Sequence, residues 1–224
     1  VTIYDAVLFD SDGVLVEPPP VETQTDATRA AFRAVGIEDP DRQHIDAIVS
    51  GVSVDELHEI CSAYELEPKT FWEARERHDE ESQFAEFRDG SRAQYGDVCA
   101  ISDFPAAVDC GVVSNNHHST IEFVLKQFAL ESFCDTYYGR EMTIESLRLK
   151  KPNTHYLECA LDDLSVSAES ALYIGDSKSD IVAAERAGLE SVFVRRSHCR
   201  EVELDTTPTY KIESLHDVAE LVSG

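Results

Sequence analysis

Two carboxylates two residues apart, Asp10 and Asp12, follow the apolar run Val7-Leu8-Phe9 and precede Gly13. On a straight strand both would project from one face. Like charges this close repel, so the pair calls for a bound cation or a shared proton. Other polar groups also stand where apolar runs stop. Ser114 and Asn115 end Gly111-Val112-Val113, Asp176 with Asp180 ends Ala171-Leu172-Tyr173-Ile174, and Lys151 precedes Pro152. Asp10, Asp12, Asp176 and Asp180 gathered in a small volume would protonate or destabilise the fold unless a hard cation neutralised them. Mg²⁺ suits such oxygen donors, with Asp10 and Asp176 as direct ligands and the backbone carbonyl of Asp12 as another. No local set of Cys or His favours a softer metal. Lys151 is a point charge suited to phosphate, and Ser114 with the adjoining N–H groups points toward a helix start, where an anion is welcome. A carboxylate can accept a phosphoryl group, and Asp10 lies where it can be held rigidly. Asp12 can donate a proton to the leaving oxygen and later take one from water.

These groups converge only if the runs that carry them are neighbouring strands. The runs at 7–9, 110–114 and 170–174 read as buried parallel strands, and ligands of open α/β sheets bind at carboxyl ends. Leu189–Arg195 and Lys211-Ile212 add strand text, and a strand is expected over Phe133–Tyr138. Amphipathic helices are expected over Ser119–Phe128, from Asn153 or Thr154 to Leu161, over Asp180–Ala187 and over Leu215–Leu221, with a short one over Phe104–Asp109. The fold class is therefore α/β, a Rossmann-like doubly wound parallel sheet. Glu17-Pro18-Pro19-Pro20 is a stiff linker into purely helical text: a helix through Ala27, Ala31 and Ala34 to Gly36, a second from Asp39-Pro40, a third over Asp55–Tyr64, and a long charged one over Thr70–Tyr95. Residues 17–96 form an inserted helical cap, and 1–16 with 97–224 form the core.

The 224 residues carry 44 acids against 19 bases, a net charge of -25, with lysine only at 69, 126, 150, 151, 178 and 211. That surface repels nucleic acid and anionic membranes, so neither is a partner. It implies a salt-rich cytoplasm, where molar salt shortens the self-repulsion to about 3 Å, and it resembles proteins of halophilic archaea. Six scattered cysteines without a Cys-x-x-Cys pair argue against zinc and against a disulfide scaffold, and suit a reducing cytoplasm. The start Val1-Thr2-Ile3-Tyr4-Asp5 has no basic region and reads as a strand entry rather than a signal peptide. No segment approaches the length of a transmembrane helix. A monomer or weak homodimer is expected.

In order and spacing, four motifs resemble those of the haloacid dehalogenase-like hydrolase superfamily, in its phosphatase branch with a helical C1-type cap (phosphoglycolate phosphatase and β-phosphoglucomutase-like). They are Asp10-Ser11-Asp12-Gly13-Val14, Val112-Val113-Ser114-Asn115, Lys151-Pro152 and Ile174-Gly175-Asp176-Ser177-Lys178-Ser179-Asp180. The resemblance implies that Asp10 is the nucleophile and a Mg²⁺ ligand, and that Asp12 is the acid/base with its carbonyl on the metal. Ser114, Asn115 and Lys151 would hold phosphate. Asp176 would ligate the metal, and Asp180 would bind it or support it from behind the ligands. The superfamily's dehalogenases lack the second aspartate and Mg²⁺, so Asp12 favours a phosphatase of a small phosphorylated metabolite, such as phosphoglycolate or a sugar phosphate. The alternatives are a sugar-phosphate mutase and a non-catalytic binding module. The cap turn Ser50-Gly51-Val52-Ser53 carries no Arg or Lys to grip the second phosphate that a mutase requires. Elsewhere, Arg75, Arg77 and His78 read as a solvated helix face. His117-His118 reads as a helix start, Arg195-Arg196 as a solvated pair, and His198-Cys199 as surface.

Overall fold

The computed structural model describes residues 4–223; Val1, Thr2 and Ile3, in the expected strand entry, and Gly224 lie outside it. Its centre is β1 (Ala6–Phe9), four residues buried without exception. Parallel partners flank it on both sides, β2 (Asp109–His117) and β4 (Ala171–Gly175). With β3 (Thr136–Arg140), β5 (Glu190–Val194) and β6 (Tyr210–Ile212), the sheet has the order β3-β2-β1-β4-β5-β6.

Alternation along the strands divides the apolar side chains between two cores. Val7, Phe9, Val112, Leu172, Ile174, Val192 and Val194 pack on one face with Ile121 and Leu125 of α5 (His118–Gln127) and Val218 and Val222 of α8 (His216–Ser223). Ala6, Leu8, Val113, Ala171 and Tyr173 pack on the other with Leu157 and Ala160 of α6 (His155–Leu164) and Ala183 and Ala184 of α7 (Lys178–Ala187). Helices on both faces explain why these strands read as apolar runs rather than alternating ones.

The chain divides into two compact units: 1–18, 93–139 and 149–224 make the α/β unit, and 19–92 with 140–148 make a helical one. The helical unit contains α1 (Val21–Ala34), α2 (Arg42–Val49), α3 (Val54–Ala63) and α4 (Pro68–Asp89). Its core joins Ala31, Phe32, Ile45, Ile48, Leu57, Ile60, Phe71 and Trp72. Each of α2, α3 and α4 is stopped from unravelling by a side-chain cap: Asp41 on Gln43 N–H, Ser53 with Glu56, and Glu67 on Thr70 N–H. The stretch 140–148, which the sequence reading leaves in the core, joins this unit for two reasons. Ile144 and Leu147 pack on its apolar centre, and the Arg140 guanidinium forks the fully buried Glu76 carboxylate. Arg75, expected on a solvated face, is likewise buried, 3.4 Å from Asp79, whereas Arg77 is exposed as expected and His78 is half-buried.

Several elements differ from expectation. The helix expected to reach Tyr95 stops at Asp89 because Gly90 takes a left-handed conformation at φ +78°. The short helix expected over 104–109 is absent. A 3-10 helix covers Gly96–Asp103 instead, and Pro105 opens a turn in which Val108 N–H donates to its carbonyl at 2.9 Å. The strand expected from Phe133 begins only at Thr136, after a 3-10 turn over Glu131–Phe133.

Arg196 is not solvated either. Its Nη1 and Nη2 fork Asp97 at 2.7 and 2.9 Å, Nη2 also donates to Val14 O at 3.0 Å, and the guanidinium lies 4.1 Å from the Tyr95 ring centroid. Asp97 further accepts from Ser214 Oγ at 3.0 Å and Leu215 N–H at 2.9 Å. Burial alone would raise the Asp97 pKa, but the arginine and these donors outweigh it and hold the carboxyl below its ordinary value. A depressed folded pKa adds stability that is present above the unfolded value, about 3.9, and is lost as pH falls through the folded one. Asp97→Asn is therefore expected to cost about 2 kcal/mol at neutral pH. Its melting curve should converge on that of the native protein as the pH is taken below about 4.

Candidate active site

Asp10 follows β1 directly, with its N–H donating to Ile174 O of β4 at 2.9 Å and its Oδ1 accepting Ser11 N–H at 2.7 Å. The straight strand on which Asp10 and Asp12 would share a face ends at Phe9. The carbonyl of Ser11 then accepts from Val14, Leu15 and Val16, closing a tight turn that carries Asp12 and Gly13. Gly13 sits at φ +80°, and a Cβ there would lie 1.9 Å from Asp176 Oδ2. No side chain fits between this turn and the Asp176 carboxylate. Asp12 accepts from Asn116 Nδ2 at 2.8 Å.

Lys151 ties the strand ends together. It is buried, and its Nζ lies 3.1 Å from Asp10 Oδ1, 2.7 Å from Asp180 Oδ1 and 3.1 Å from Val113 O, with the Tyr173 hydroxyl as a further partner. Its main chain is gripped by Asn115, whose Oδ1 accepts Lys151 N–H at 2.7 Å and whose Nδ2 donates to Lys151 O at 3.3 Å. Among the donors expected for phosphate, the Asn115 side chain thus holds the lysine loop. Ser114 is buried inside β2 rather than at the helix start, and its Oγ accepts Asn116 N–H at 3.3 Å. Asp180 is fully buried. Its Oδ2 accepts Ser177 N–H at 3.0 Å and Ser177 Oγ at 2.6 Å in the capping box of α7. A Cβ on Gly175 would fall 2.2 Å from Asp180 Cβ, so glycine lets strand and helix start meet.

Carboxylate oxygens of Asp10, Asp176 and Asp180 lie within 4.8 Å of one another. Burial pushes the Asp10 pKa up to about 8; Lys151 opposes the rise, and Asp180, Asp176 and Asp12 add to it. Burial also raises Asp176, against the pull of His198. The Lys151 pKa rises despite its burial, because Asp10 and Asp180 face it. One lysine thus serves a cluster of acids, and the excess negative charge, the hard oxygen donors and the side-chain-free Gly13 cradle suit a hard divalent cation.

Three residues at this cluster escaped the sequence reading. The Tyr173 hydroxyl donates to Val113 O at 2.8 Å and lies 3.4 Å from Asp180 Oδ1; the signal was one hydroxyl in an apolar strand. Asn116 holds Asp12, and its signal was the doubled asparagine after Ser114. His198 is exposed, as expected, but its Nε2 lies 2.5 Å from Asp176 Oδ2, and Cys199 beside it is buried rather than at the surface. Nothing in the sequence pairs positions 22 residues apart across a strand. Of the remaining tempting residues, His117 is buried, His118 stacks on Tyr137, and Lys178 reaches Asp205 at 3.2 Å.

A family model described as haloacid dehalogenase-like hydrolase matches residues 7–194. The chain belongs to that family. Among curated haloacid dehalogenase-like relatives, the pyrophosphatase PpaX of Bacillus mycoides is 29% identical over 114 residues, covering 50% of this chain and 51% of that protein. The chain thus spans about half the length of the curated relatives it matches. A mutant of CbbY from Rhodobacter sphaeroides, in complex with xylulose-(1,5)bisphosphate, superposes with a TM-score of 0.73 at 21% identity, over 96% of each chain. A predicted phosphoglycolate phosphatase from Haemophilus somnus gives 0.70 at 17% identity, over 98% of each chain. These structures share the haloacid dehalogenase-like fold. The family match ends with β5, so every residue of the cluster except His198 lies inside it.

Proposed function

We propose that this protein is a Mg²⁺-dependent phosphomonoester hydrolase of a small phosphorylated metabolite, working through an aspartyl-phosphate. The observation that carries this reading is Lys151 bridging Asp10 and Asp180 while Asp10, Asp176 and Asp180 surround one small volume. Asp10, Asp176 and the Asp12 carbonyl would hold the cation, with Asp180 fixing Lys151 and the start of α7. When bound, the cation supplies charge neutralisation between the carboxylates and the phosphoryl oxygens.

Asp10 Oδ1 is occupied by Ser11 N–H and Lys151, which orients the carboxylate and leaves Oδ2 for attack. Oδ2 forms a bond to phosphorus as the bond to the leaving oxygen breaks, and Asp12 gives that oxygen its proton. Asp12, steadied by Asn116, then removes a proton from water. The water oxygen attacks phosphorus, the Asp10–phosphorus bond breaks, and the carboxylate and inorganic phosphate are regenerated. Lys151 and Ser114 compensate charge on the phosphoryl oxygens.

Its place in the chain, inserted directly after the turn that carries Asp12, gives the helical unit the role of substrate cap. The likeness to a predicted phosphoglycolate phosphatase and to a protein that binds xylulose-(1,5)bisphosphate supports a small organic phosphate as substrate, and the likeness to PpaX adds pyrophosphate to those worth testing. We assign the protein, as a monomer or weak homodimer, to a salt-rich cytoplasm on the strength of its charge of -25. Among the described residues, no helix is long and apolar enough to cross a membrane.

Phosphate release from p-nitrophenyl phosphate, phosphoglycolate, sugar phosphates and pyrophosphate, with and without Mg²⁺ in graded KCl, tests the reading. Mg²⁺-dependent release that strengthens toward molar KCl is expected. Isomerised hexose phosphate without release would replace it with the mutase. Inactivity across the panel in molar KCl, with the protein folded, would overturn it.

A further inference from the structure

The His198 imidazole lies outside the family match and on the rim of the acid cluster. Its Nε2 stands 2.5 Å from Asp176 Oδ2 and belongs with Asp176 and Cys199 to a second group of possible metal donors, all within 4.8 Å. Asp176 is common to this group and to the Asp10–Asp180 cluster. Gly13 makes room for both partners, since a Cβ there would lie 1.9 Å from Asp176 Oδ2 and 2.9 Å from His198 Nε2.

The imidazole sits at the exposed rim with partners on both nitrogens. Its Nδ1 lies 3.4 Å from the Tyr95 hydroxyl, and its side chain is 28% exposed although the residue as a whole is exposed. Arg196, two residues before it, is clamped to Asp97, and Cys199, one residue after it, is buried. The Cys199 thiol is turned toward Val194 O and Arg196 O, each 3.5 Å away, and accepts Arg196 N–H. The imidazole, not the thiol, is therefore the extra donor. A neutral nitrogen adds a ligand without adding to the negative charge of the cluster. Imidazole suits first-row transition ions, whereas carboxylate and water suit Mg²⁺.

We propose that His198 Nε2 completes the divalent-cation site beside Asp176, so that the site takes imidazole-tolerant ions such as Mn²⁺ and Co²⁺ more tightly than a carboxylate-only site would. This rests on the phosphatase reading for the existence of a cation site, and concerns which ion that site selects.

The test uses the full chain in molar KCl. Mn²⁺ bound to the native protein should show ¹⁴N modulation in its electron spin echo, and His198→Gln should abolish that modulation with the circular dichroism spectrum unchanged. Calorimetric titration should show Mn²⁺ and Co²⁺ affinity falling by about tenfold or more in His198→Gln. Mg²⁺ affinity should change by less than about threefold, because an ion that prefers oxygen donors loses little with the imidazole. Mn²⁺ that binds without nitrogen coupling overturns the proposal and leaves the phosphatase reading intact, as does an equal loss of affinity for all three ions. Failure of the native protein to take up any of the three ions overturns both.

Discussion

Asp10→Asn is expected to lower Mg²⁺-dependent turnover by about 10⁴-fold or more while the metal-free protein melts no lower than the native one. The two halves of this expectation come from one environment. Asp10 is buried among Asp12, Asp176 and Asp180, and its pKa is pushed up to about 8 by burial, with Lys151 opposing. Its negative charge is therefore held against the preference of the metal-free fold. An amide of the same shape still offers an oxygen to Ser11 N–H, and Lys151 keeps Asp180 at 2.7 Å. What the amide cannot do is attack phosphorus. Steady-state kinetics on p-nitrophenyl phosphate beside thermal melts in EDTA would check both halves. Residual Mg²⁺-dependent turnover within tenfold of the native value would exclude Asp10 as nucleophile.

Much of this centre was readable because the determining facts are local. β1 and β4 are apolar runs, as strands covered by helices on both faces must be, and the acids stand where those runs stop. Lys151 was recognisable by its Lys-Pro motif, although the 2.7–3.1 Å contacts with Asp180 and Asp10 depend on a loop returning to the same sheet edge. The residues that escaped are those whose meaning lies with a distant partner. Arg75 and Glu76 fall on a helix whose charged text reads as a wet face, and only Arg140, 64 residues from Glu76, shows that it is dry. Arg196 finds Asp97 across 99 positions, and His198 finds Asp176 from a three-residue 3-10 turn too short to have a periodicity to read. Tyr173 is a different case: an aromatic in an apolar strand is assigned to packing, and its ring is indeed buried while its hydroxyl serves Lys151. Hydrophobic pattern reports where side chains are buried, and it is silent on which polar atoms accompany them.

Lys151→Met should act on stability as strongly as on turnover, and in the opposite sense to Asp10→Asn. The methionine fills the same channel but removes the one ammonium shared by Asp10 and Asp180, both buried. Breaking such a buried pair strands a charge at a cost of about 3–5 kcal/mol. For a chain of this size that corresponds to a fall of roughly 6–20 °C in the transition of the α/β unit. Part of the loss is relieved if Asp10 takes up a proton, toward which burial already biases it, so the lower end of that range applies where protonation is complete. A divalent cation provides the sharper readout. It supplies positive charge where the ammonium has been removed, so Mg²⁺ should raise the melting temperature of Lys151→Met more than that of the native protein. Turnover should stay depressed even when the metal has restored stability, because the metal replaces the charge that the acids require and not the phosphate contact that the proposed reaction asks of Lys151. A variant as stable as the native protein in EDTA would mean that Asp10 and Asp180 do not depend on Lys151 for their charge balance. The shared counter-ion on which the site is built would then be something else.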